Sequence, residues 1–283
     1  MRILKRRKGN KSYFYLQHSF RKNGIVTTKE MYLGEEIPKD IEKIKQEIVK
    51  EEKNYINENL EKIKQNFQEE WKRLPESAKE KELEQIAIAF TYNTNAIEGS
   101  TITLREVREI VEDKISPNKS LNDIKEADSH FKIFLEILNK KENISRDLIL
   151  KWHGQIFSDT KTDIAGKFRN CLVRIGGYIA PDWQDVEKLI EKLIKFINQE
   201  KINPVELVAR AHYRFEKIHP FVDGNGRIGR LIMNCILWHS SYPMIIIEHK
   251  KRRAYYSALK NDEEKFVQYF IRNYMKVHKK RIK

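Results

Sequence analysis

The sequence predicts a mainly α-helical protein with a small β-unit at its amino end and one short β-hairpin flap. Apolar residues recur at helical spacing through most of the chain. Two β-rich runs near the start are joined by Asn23-Gly24, and Asn-Gly is the strongest short hairpin signal. One stretch without helical pattern, residues 166–180, interrupts the helical part. We therefore expect a basic β-hairpin unit over residues 1–36 and a helical region over residues 37–283.

The β-unit is predicted from residues 12–21 and 25–33, which are rich in Tyr, Phe, Val and Thr. Gly34 and Pro38 end this pattern. Because a two-stranded hairpin is only marginally stable alone, we expect either a third strand near Ile3 or docking of the hairpin on the helical body.

The helical region shows apolar stripes with charged residues on the other faces. Gly99 stands where a helix should stop, and Thr103 with Glu106 forms a capping-box pattern before the next apolar run. Residues 166–180 surround a Gly-Gly pair and indicate a short hairpin or extended flap. Helices are predicted at about 40–72, 77–95, 121–139, 145–157, 182–198 and 204–218.

Composition excludes several classes of protein. The apolar fraction is 40% and the mean hydropathy is -0.68, and no apolar run is long enough to span a bilayer. No signal-peptide pattern is present at the start of the sequence. Two cysteines, Cys171 and Cys235, cannot build a disulfide framework. We expect free thiols, a cytoplasmic location and no membrane partner.

The charge is strongly positive and unevenly distributed. The net charge is +14, and Lys and Arg fill nine of the first thirty positions, where Glu30 is the only acid. Such a balance favours acidic partners, namely nucleic acids, nucleotides or an acidic protein surface. The mixed charges elsewhere are typical of solvated helix faces.

The sequence is most informative at residues 219–230, which read HPFVDGNGRIGR. One helix is predicted to end near Ile218 and the next to begin near Asn225. Gly224 and Gly226 let backbone N–H groups approach an anion closely. They lie at a helix N-terminus, where free N–H groups and the helix dipole favour phosphate.

Four side chains around this loop suit polyphosphate chemistry. Arg227 and Arg230 share a helix face and can each bind phosphate oxygens. Asp223 suits Mg²⁺, which takes one or two carboxylates together with phosphates, and His219 can accept a proton near neutral pH. Each residue alone has an ordinary structural explanation, as a turn residue or a solvent-facing side chain. Their conjunction within twelve residues favours nucleotidyl or phosphoryl transfer.

The same twelve residues match the Fic family signature, His-x-Phe-x-Asp/Glu-Gly-Asn-Gly-Arg-x-x-Arg, at every specified position, and the sequence resembles that family over about residues 77–270. The resemblance implies the Fic helical fold and a protein adenylyltransferase that moves AMP from ATP to a Ser, Thr or Tyr hydroxyl of a target protein, including the enzyme itself. It implies that His219 is the general base and that Asp223 binds Mg²⁺ or Mn²⁺.

The resemblance also implies roles for the rest of the loop. Gly224, Asn225 and Gly226 would form the anion hole for the α- and β-phosphates. Arg227 would support the leaving pyrophosphate and Arg230 would contact the γ-phosphate. Phe221 and its neighbours would hold the loop on the core.

Two further segments resemble parts of the family. Residues 166–180 lie where the family has its flap, which can add a target segment as a β-strand. Tyr255 and Tyr256 are candidates to face the adenine, although tyrosines on a helix more often lie in the core, which we expect for at least one of them.

An inhibitory pattern, Ser/Thr-x-x-x-Glu-Gly/Asn, is present at Thr94, Glu98 and Gly99, at the end of the helix over about residues 77–99. If Glu98 pairs with Arg230, that arginine cannot hold the γ-phosphate, and ATP binds unproductively. We therefore expect intramolecular inhibition.

Alternatives remain at this stage. A Fic-type enzyme can remove AMP or use another nucleotide or phospho-donor, and it can form homo-oligomers. A different class of function is a nucleic-acid-binding regulator, because basic residues with interleaved aromatics can bind phosphates and stack bases. The aromatic residues of the amino-terminal hairpin that support it are Tyr13, Phe14, Tyr15, His18 and Phe20.

Overall fold

The computed structural model describes residues 1–22 and 25–283 and confirms the predicted fold class, which is mainly helical with small sheets. The strands are β1 (Arg2–Lys8), β2 (Lys11–Lys22), β3 (Ile25–Gly34), β4 (Arg174–Ile175) and β5 (Tyr178–Ile179). The helices are α1 (Ile41–Arg73), α2 (Glu76–Ile97), α3 (Leu104–Val111), α4 (Leu121–Asn139), α5 (Arg146–Phe157), α6 (Val186–Gln199), α7 (Pro204–Ile218), α8 (Asn225–His239), α9 (Arg252–Leu259) and α10 (Glu263–Val277).

The amino-terminal sheet is antiparallel, in the order β1-β2-β3. Its β1 is the third strand expected near Ile3. The turn between β1 and β2 uses Gly9 at a φ of +61°, a conformation that glycine adopts without steric cost. The predicted Asn23-Gly24 turn lies outside the described residues.

The chain divides into two compact units, and the division falls inside α1 rather than at the expected residue 36. One unit comprises Met1–Lys62 with the last two residues, and the other comprises Ile63–Arg281. Leu16 is 1% exposed, and His18 lies 3.0 Å from the carboxylate of Glu52 on α1. The sheet therefore packs on the first part of α1, which explains why that part belongs with it.

The helical unit is centred on α7 and α8, which pack against each other. Helix α8 is buried along nearly its whole length, and α2, α4 and α5 also contact it or one another. Phe215, Phe221 and Leu231 are fully buried. The loop that joins α7 to α8 is thereby anchored in the buried core of this unit.

Two helix ends behave as predicted. Thr103 and Glu106 form both hydrogen bonds of the capping box at the start of α3. Helix α2 stops at Ile97, and Gly99 follows at a φ of +99°, as a glycine after a helix C-terminus should. The end of α2 thereby positions Glu98, the residue that follows Ile97.

Candidate functional site

The α7–α8 loop is shaped by two residues with left-handed backbone conformation. His219 follows α7 at a φ of +50°, and Gly224 precedes α8 at a φ of +81°. A Cβ at Gly224 would lie 2.4 Å from Cε2 of Phe157, so the loop can approach α5 only with glycine at this position. The two turns aim the start of α8 back along the end of α7.

Asn225 closes the loop with its side chain. Its Oδ1 accepts a hydrogen bond from the N–H of Phe221 at 2.8 Å, and its Nδ2 donates to the carbonyl of Phe221 at 2.9 Å. The Phe221 ring stacks on His153 with 3.9 Å between ring centroids. Because the first N–H groups of a helix have no partner inside it, those of α8 are presented toward an anion.

Arg230 is fully buried and held by the end of α2. Its Nε donates to Oγ1 of Thr94, and its Nη2 donates to Oε1 of Glu98, both at 2.6 Å. A Cβ at Gly226 would lie 2.2 Å from that same Glu98 oxygen. The Glu98 carboxylate thus lies against the first turn of α8, in the space where the sequence analysis places phosphate.

A second ion-pair group surrounds Asp223. Its Oδ2 accepts a hydrogen bond from Nζ of Lys161 at 2.7 Å, and Lys161 also pairs with Oε1 of Glu126 at 3.2 Å. Glu126, which is 6% exposed, bonds Arg227 through its other oxygen, and Arg227 lies 3.6 Å from Asp223. Burial opposes ionisation of Asp223, but Lys161 and Arg227 lower its pKa below the ordinary value.

These groups fit a metal bound jointly with a polyphosphate. Among the residues that the structure describes, no group of three or more His, Cys, Asp or Glu side chains could hold an ion alone. The side chain of Asp223 is 44% exposed and ionised, which suits an ion that takes one carboxylate and completes its shell with phosphate and water. Within the same described part of the chain, Nη1 of Arg230 and Nε of Arg227 are buried without an acceptor, as donors awaiting an anion would be.

His219 has the properties of a proton acceptor. Burial lowers its pKa to about 4, so the imidazole is neutral at physiological pH. Its carbonyl oxygen accepts a hydrogen bond from Nε of Arg169 at 2.8 Å, which fixes the backbone at this strained position.

Arg169 and His153 are site residues that the sequence analysis missed. The 2% exposed Arg169 also donates to the carbonyls of Cys171 and Pro181, so one side chain ties the loop to both ends of the flap. His153 accepts from the N–H of Gly166 at Nδ1, so its Nε2 carries the proton and donates to the carbonyl of Asp223. The bonds from Arg169 to His219 and from His153 to Asp223 join residues 50 and 70 positions apart, which periodicity cannot reveal.

The predicted flap contains β4 and β5, which pair antiparallel through two residues of each strand. The hydroxyl of Tyr178 donates to the carbonyl of Lys217 near the end of α7, at 3.0 Å. Leu172 and Ile179 are 64% and 57% exposed, so the flap presents apolar side chains to solvent beside the loop.

The two candidate adenine residues have different environments. Tyr255 is 1% exposed and lies 2.6 Å from Nε2 of His212, so it is a core residue without a surface for adenine. Tyr256 is 40% exposed, and burial together with the nearby Glu98 carboxylate raises its pKa to about 12. Only Tyr256 remains available to a ligand at this site.

The described residues contain no helix long and apolar enough to cross a membrane.

Comparison with known proteins identifies the curated relatives of the chain. Over 189 residues it is 34% identical to the protein adenylyltransferase Fic of Nematostella vectensis, a region covering 64% of this chain and 44% of that protein. The protein of the same description from Drosophila melanogaster is 36% identical over 188 residues, covering 64% and 38%. The chain therefore matches less than half the length of these relatives.

Solved structures agree in fold. The Fic-1 structure from C. elegans has a TM-score of 0.70 and 27% identity, with 83% of this chain and 72% of that chain covered. A Fic domain containing signaling protein from Bacteroides thetaiotaomicron has a TM-score of 0.69 and 24% identity, with 79% and 95% covered. Residues 143–237, which include the whole α7–α8 loop, match the family model described as Fic/DOC family. The chain therefore carries a region of the Fic/DOC family at residues 143–237.

Proposed function

We propose that the protein is an adenylyltransferase that transfers AMP from ATP to a Ser, Thr or Tyr hydroxyl of a target protein and of itself. The observation that carries the proposal is the α7–α8 loop, where a neutral imidazole, an ionised carboxylate, free helix N–H groups and two buried arginines meet. The curated relatives described as protein adenylyltransferase Fic support the same activity.

In the proposed reaction, His219 accepts the proton of the target hydroxyl. The hydroxyl oxygen then bonds to the α-phosphorus, while the bond from that phosphorus to the bridging oxygen breaks. Pyrophosphate leaves with the electron pair. Gly226 and the other first-turn N–H groups of α8 stabilise charge on the phosphates, and Arg227 supports the leaving group.

Asp223 would hold Mg²⁺ or Mn²⁺ for this reaction, and the bound ion would offset negative charge on the polyphosphate. Lys161 donates a hydrogen bond to one carboxylate oxygen of Asp223, so its positive charge offsets the charge of the carboxylate until the ion binds.

Glu98 is the proposed intramolecular inhibitor. Its carboxylate takes Nη2 of Arg230 and lies against Gly226, so it competes for both the arginine and the space of the γ-phosphate. Thr94 holds Arg230 in the orientation that allows this pair. Removal of the carboxylate frees the arginine for ATP.

The flap is the proposed target-binding edge. The exposed Leu172 and Ile179 of the flap would contact the target segment, which would add to the short β4–β5 pair as a further strand. Tyr256 is the proposed contact for the adenine, since it is the exposed member of the tyrosine pair.

The proposal is tested by intact mass after incubation with ATP and Mg²⁺. Glu98→Gly should gain AMP-sized increments faster than the wild type, and Glu98→Gln, which keeps the shape but loses the charge, should fall between them. His219→Ala in the Glu98→Gly background should lose about 10²- to 10⁴-fold in rate, the usual contribution of a general base. A lysate of potential targets is included in each reaction.

Three outcomes would each contradict part of the proposal. Equal rates in the wild type and Glu98→Gly would remove the inhibitory role. AMP transfer that survives His219→Ala at full rate would remove His219 as the base, and absence of transfer in every reaction would remove the activity.

A further inference from the structure

Strand alternation divides the amino-terminal sheet into two chemically different faces. On β2, Leu16 and His18 point toward α1, where His18 pairs with Glu52 and the adjacent Lys29 pairs with Glu51. The strand register places the alternate side chains of β1, β2 and β3 on the opposite face of the sheet. We call this opposite face the tyrosine face; it comprises Arg2, Leu4, Arg6, Lys8, Lys11, Tyr13, Tyr15, Gln17, Ser19, Thr28, Glu30 and Tyr32.

The five aromatic residues named from the sequence lie on two different faces of the sheet. Phe14, His18 and Phe20 lie on the face toward α1, where the rings of His18 and Phe20 stack at 5.8 Å. Tyr13 and Tyr15 lie on the tyrosine face. Phe14, His18 and Phe20 therefore serve the packing of this unit, and a ligand on the opposite face would contact Tyr13 and Tyr15.

The tyrosine face joins exposed rings to cations. The ring of Tyr32 lies 5.4 Å from that of Tyr15 and 6.2 Å from that of Tyr13, and Tyr32 is 55% exposed. The guanidinium of Arg6, which has a 53% exposed side chain, lies 4.7 Å above the Tyr15 ring. Unpaired bases bind to such platforms by stacking, with arginine adding cation–π attraction.

Charge complementarity selects a polyanion as the occupant. Residues 1–34 carry nine Lys and Arg against the single acid Glu30. Glu30 lies on the tyrosine face, 2.8 Å from Arg6. Lys11 pairs with Glu35 at 2.7 Å, just beyond β3. Because two carboxylates pair with two of the four cations there, the face remains positive after internal pairing.

We propose that the tyrosine face binds single-stranded nucleic acid. Bases stack on Tyr32 and its neighbours, and phosphates bind Arg2, Arg6 and Lys8 along β1. Single strands are favoured over duplexes because stacking on an exposed ring needs a base that is free of its own partner. This function is independent of the proposed AMP transfer.

The test uses the full chain and fluorescence anisotropy with labelled single-stranded DNA and RNA, the matching duplexes, and polyglutamate as a polyanion without bases. Tyr32→Ala should weaken single-strand binding by about 5- to 100-fold, the effect of losing one stacked base. Tyr32→Phe should bind as the wild type does. Glu30→Gln should bind more tightly, because Arg6 loses its internal competitor.

Salt dependence supplies a second readout. The double variant Arg2→Ala/Arg6→Ala should reduce the slope of log affinity against log salt concentration by about 1.4, since each phosphate contact on a single strand contributes about 0.7. The matched control is Arg73→Ala/Arg105→Ala, which removes the same charge from helix positions that are 79% and 89% exposed. This control should leave the slope unchanged.

Three results would overturn the proposal. One is tighter binding of the duplexes than of the single strands. Another is polyglutamate competing as well as an oligonucleotide while Tyr32→Ala has no effect, which would indicate an acidic protein partner. The third is an equal loss in the two double variants, with circular dichroism showing that both are folded.

Discussion

The α7–α8 loop and the amino-terminal sheet both concentrate positive charge, but they hold it in opposite ways. In the loop, Arg227 and Arg230 are 4% and 1% exposed, and each is already paired with a carboxylate. On the sheet, the Arg6 side chain is 53% exposed and pairs with Glu30. Buried, paired arginines must exchange one anion for another, whereas exposed ones bind any polyanion and are screened by salt.

The largest expected effect is that of pH on the free energy of unfolding, because the helical unit also buries histidines in their neutral form. Burial lowers the pKa of His153, His219 and His278 to about 4 and that of His212 to about 3. Between pH 6.5 and 4 the unfolded chain binds protons that the folded chain does not. The free energy of unfolding should therefore fall as pH falls, by about 1.4 kcal/mol per pH unit for each histidine.

Urea unfolding from pH 7 to 4.5 measures this loss. His153→Gln is the matched variant, because an amide can still accept from Gly166 and donate to Asp223 without titrating. It should show a shallower decline than the wild type. A free energy of unfolding that stays constant over this range would contradict the buried neutral histidines.

The next effect comes from removing a buried carboxylate. Glu126→Ala leaves Arg227 without its main partner in the interior, so the free energy of unfolding should fall by about 3 kcal/mol. Glu126→Gln keeps a hydrogen-bond acceptor and should cost less. Urea unfolding at pH 7 checks both, and a loss below about 0.5 kcal/mol in Glu126→Ala would show that solvent or Asp223 replaces the carboxylate beside Arg227.

A smaller effect is expected at Asp223, the proposed metal-binding carboxylate. Lys161 must leave one oxygen of Asp223 before an ion can bind there, and this pair is partly exposed. Lys161→Ala should therefore tighten Mn²⁺ binding by about two- to five-fold, the worth of such a pair. Electron paramagnetic resonance of added Mn²⁺ measures the affinity, with Lys161→Arg as control. Weaker binding in Lys161→Ala would show that Lys161 positions Asp223 instead.

The smallest effect is expected on the sheet. Glu30→Ala removes an exposed ion pair with Arg6, so the free energy of unfolding should change by less than about 1 kcal/mol. The same urea experiment measures it. A loss as large as that in Glu126→Ala would remove the distinction between the two charged regions.

The sequence predicted what is local. Helix ends, the capping box at Thr103 and the chemistry of the α7–α8 loop depend on neighbours in the chain, where spacing carries information. The contact between Glu98 and Arg230 joins residues 132 apart, and only resemblance to a family pointed to it.

What the sequence could not predict depends on tertiary contacts. Glu126 and Lys161 lie in segments whose patterns indicate only charged surface, and Arg169 lies in the predicted flap. All three complete the site through partners that lie 50 to 101 residues away. The sheet faces were equally hidden, since the interleaved aromatics of β2 separate only once α1 covers one side.

The close contacts around Gly226 predict where activating mutations can arise. Any side chain there would collide with the Glu98 oxygen at 2.2 Å and with Nη1 of Arg230 at 2.8 Å. A substitution that expelled Glu98, the proposed inhibitor, by this route would also fill the proposed phosphate space and abolish the proposed catalysis. Alleles with unrestrained activity should therefore arise at Glu98 or Thr94, on the helix that can be altered without loss of the loop. A screen for toxic gain-of-function variants should return none at Gly226.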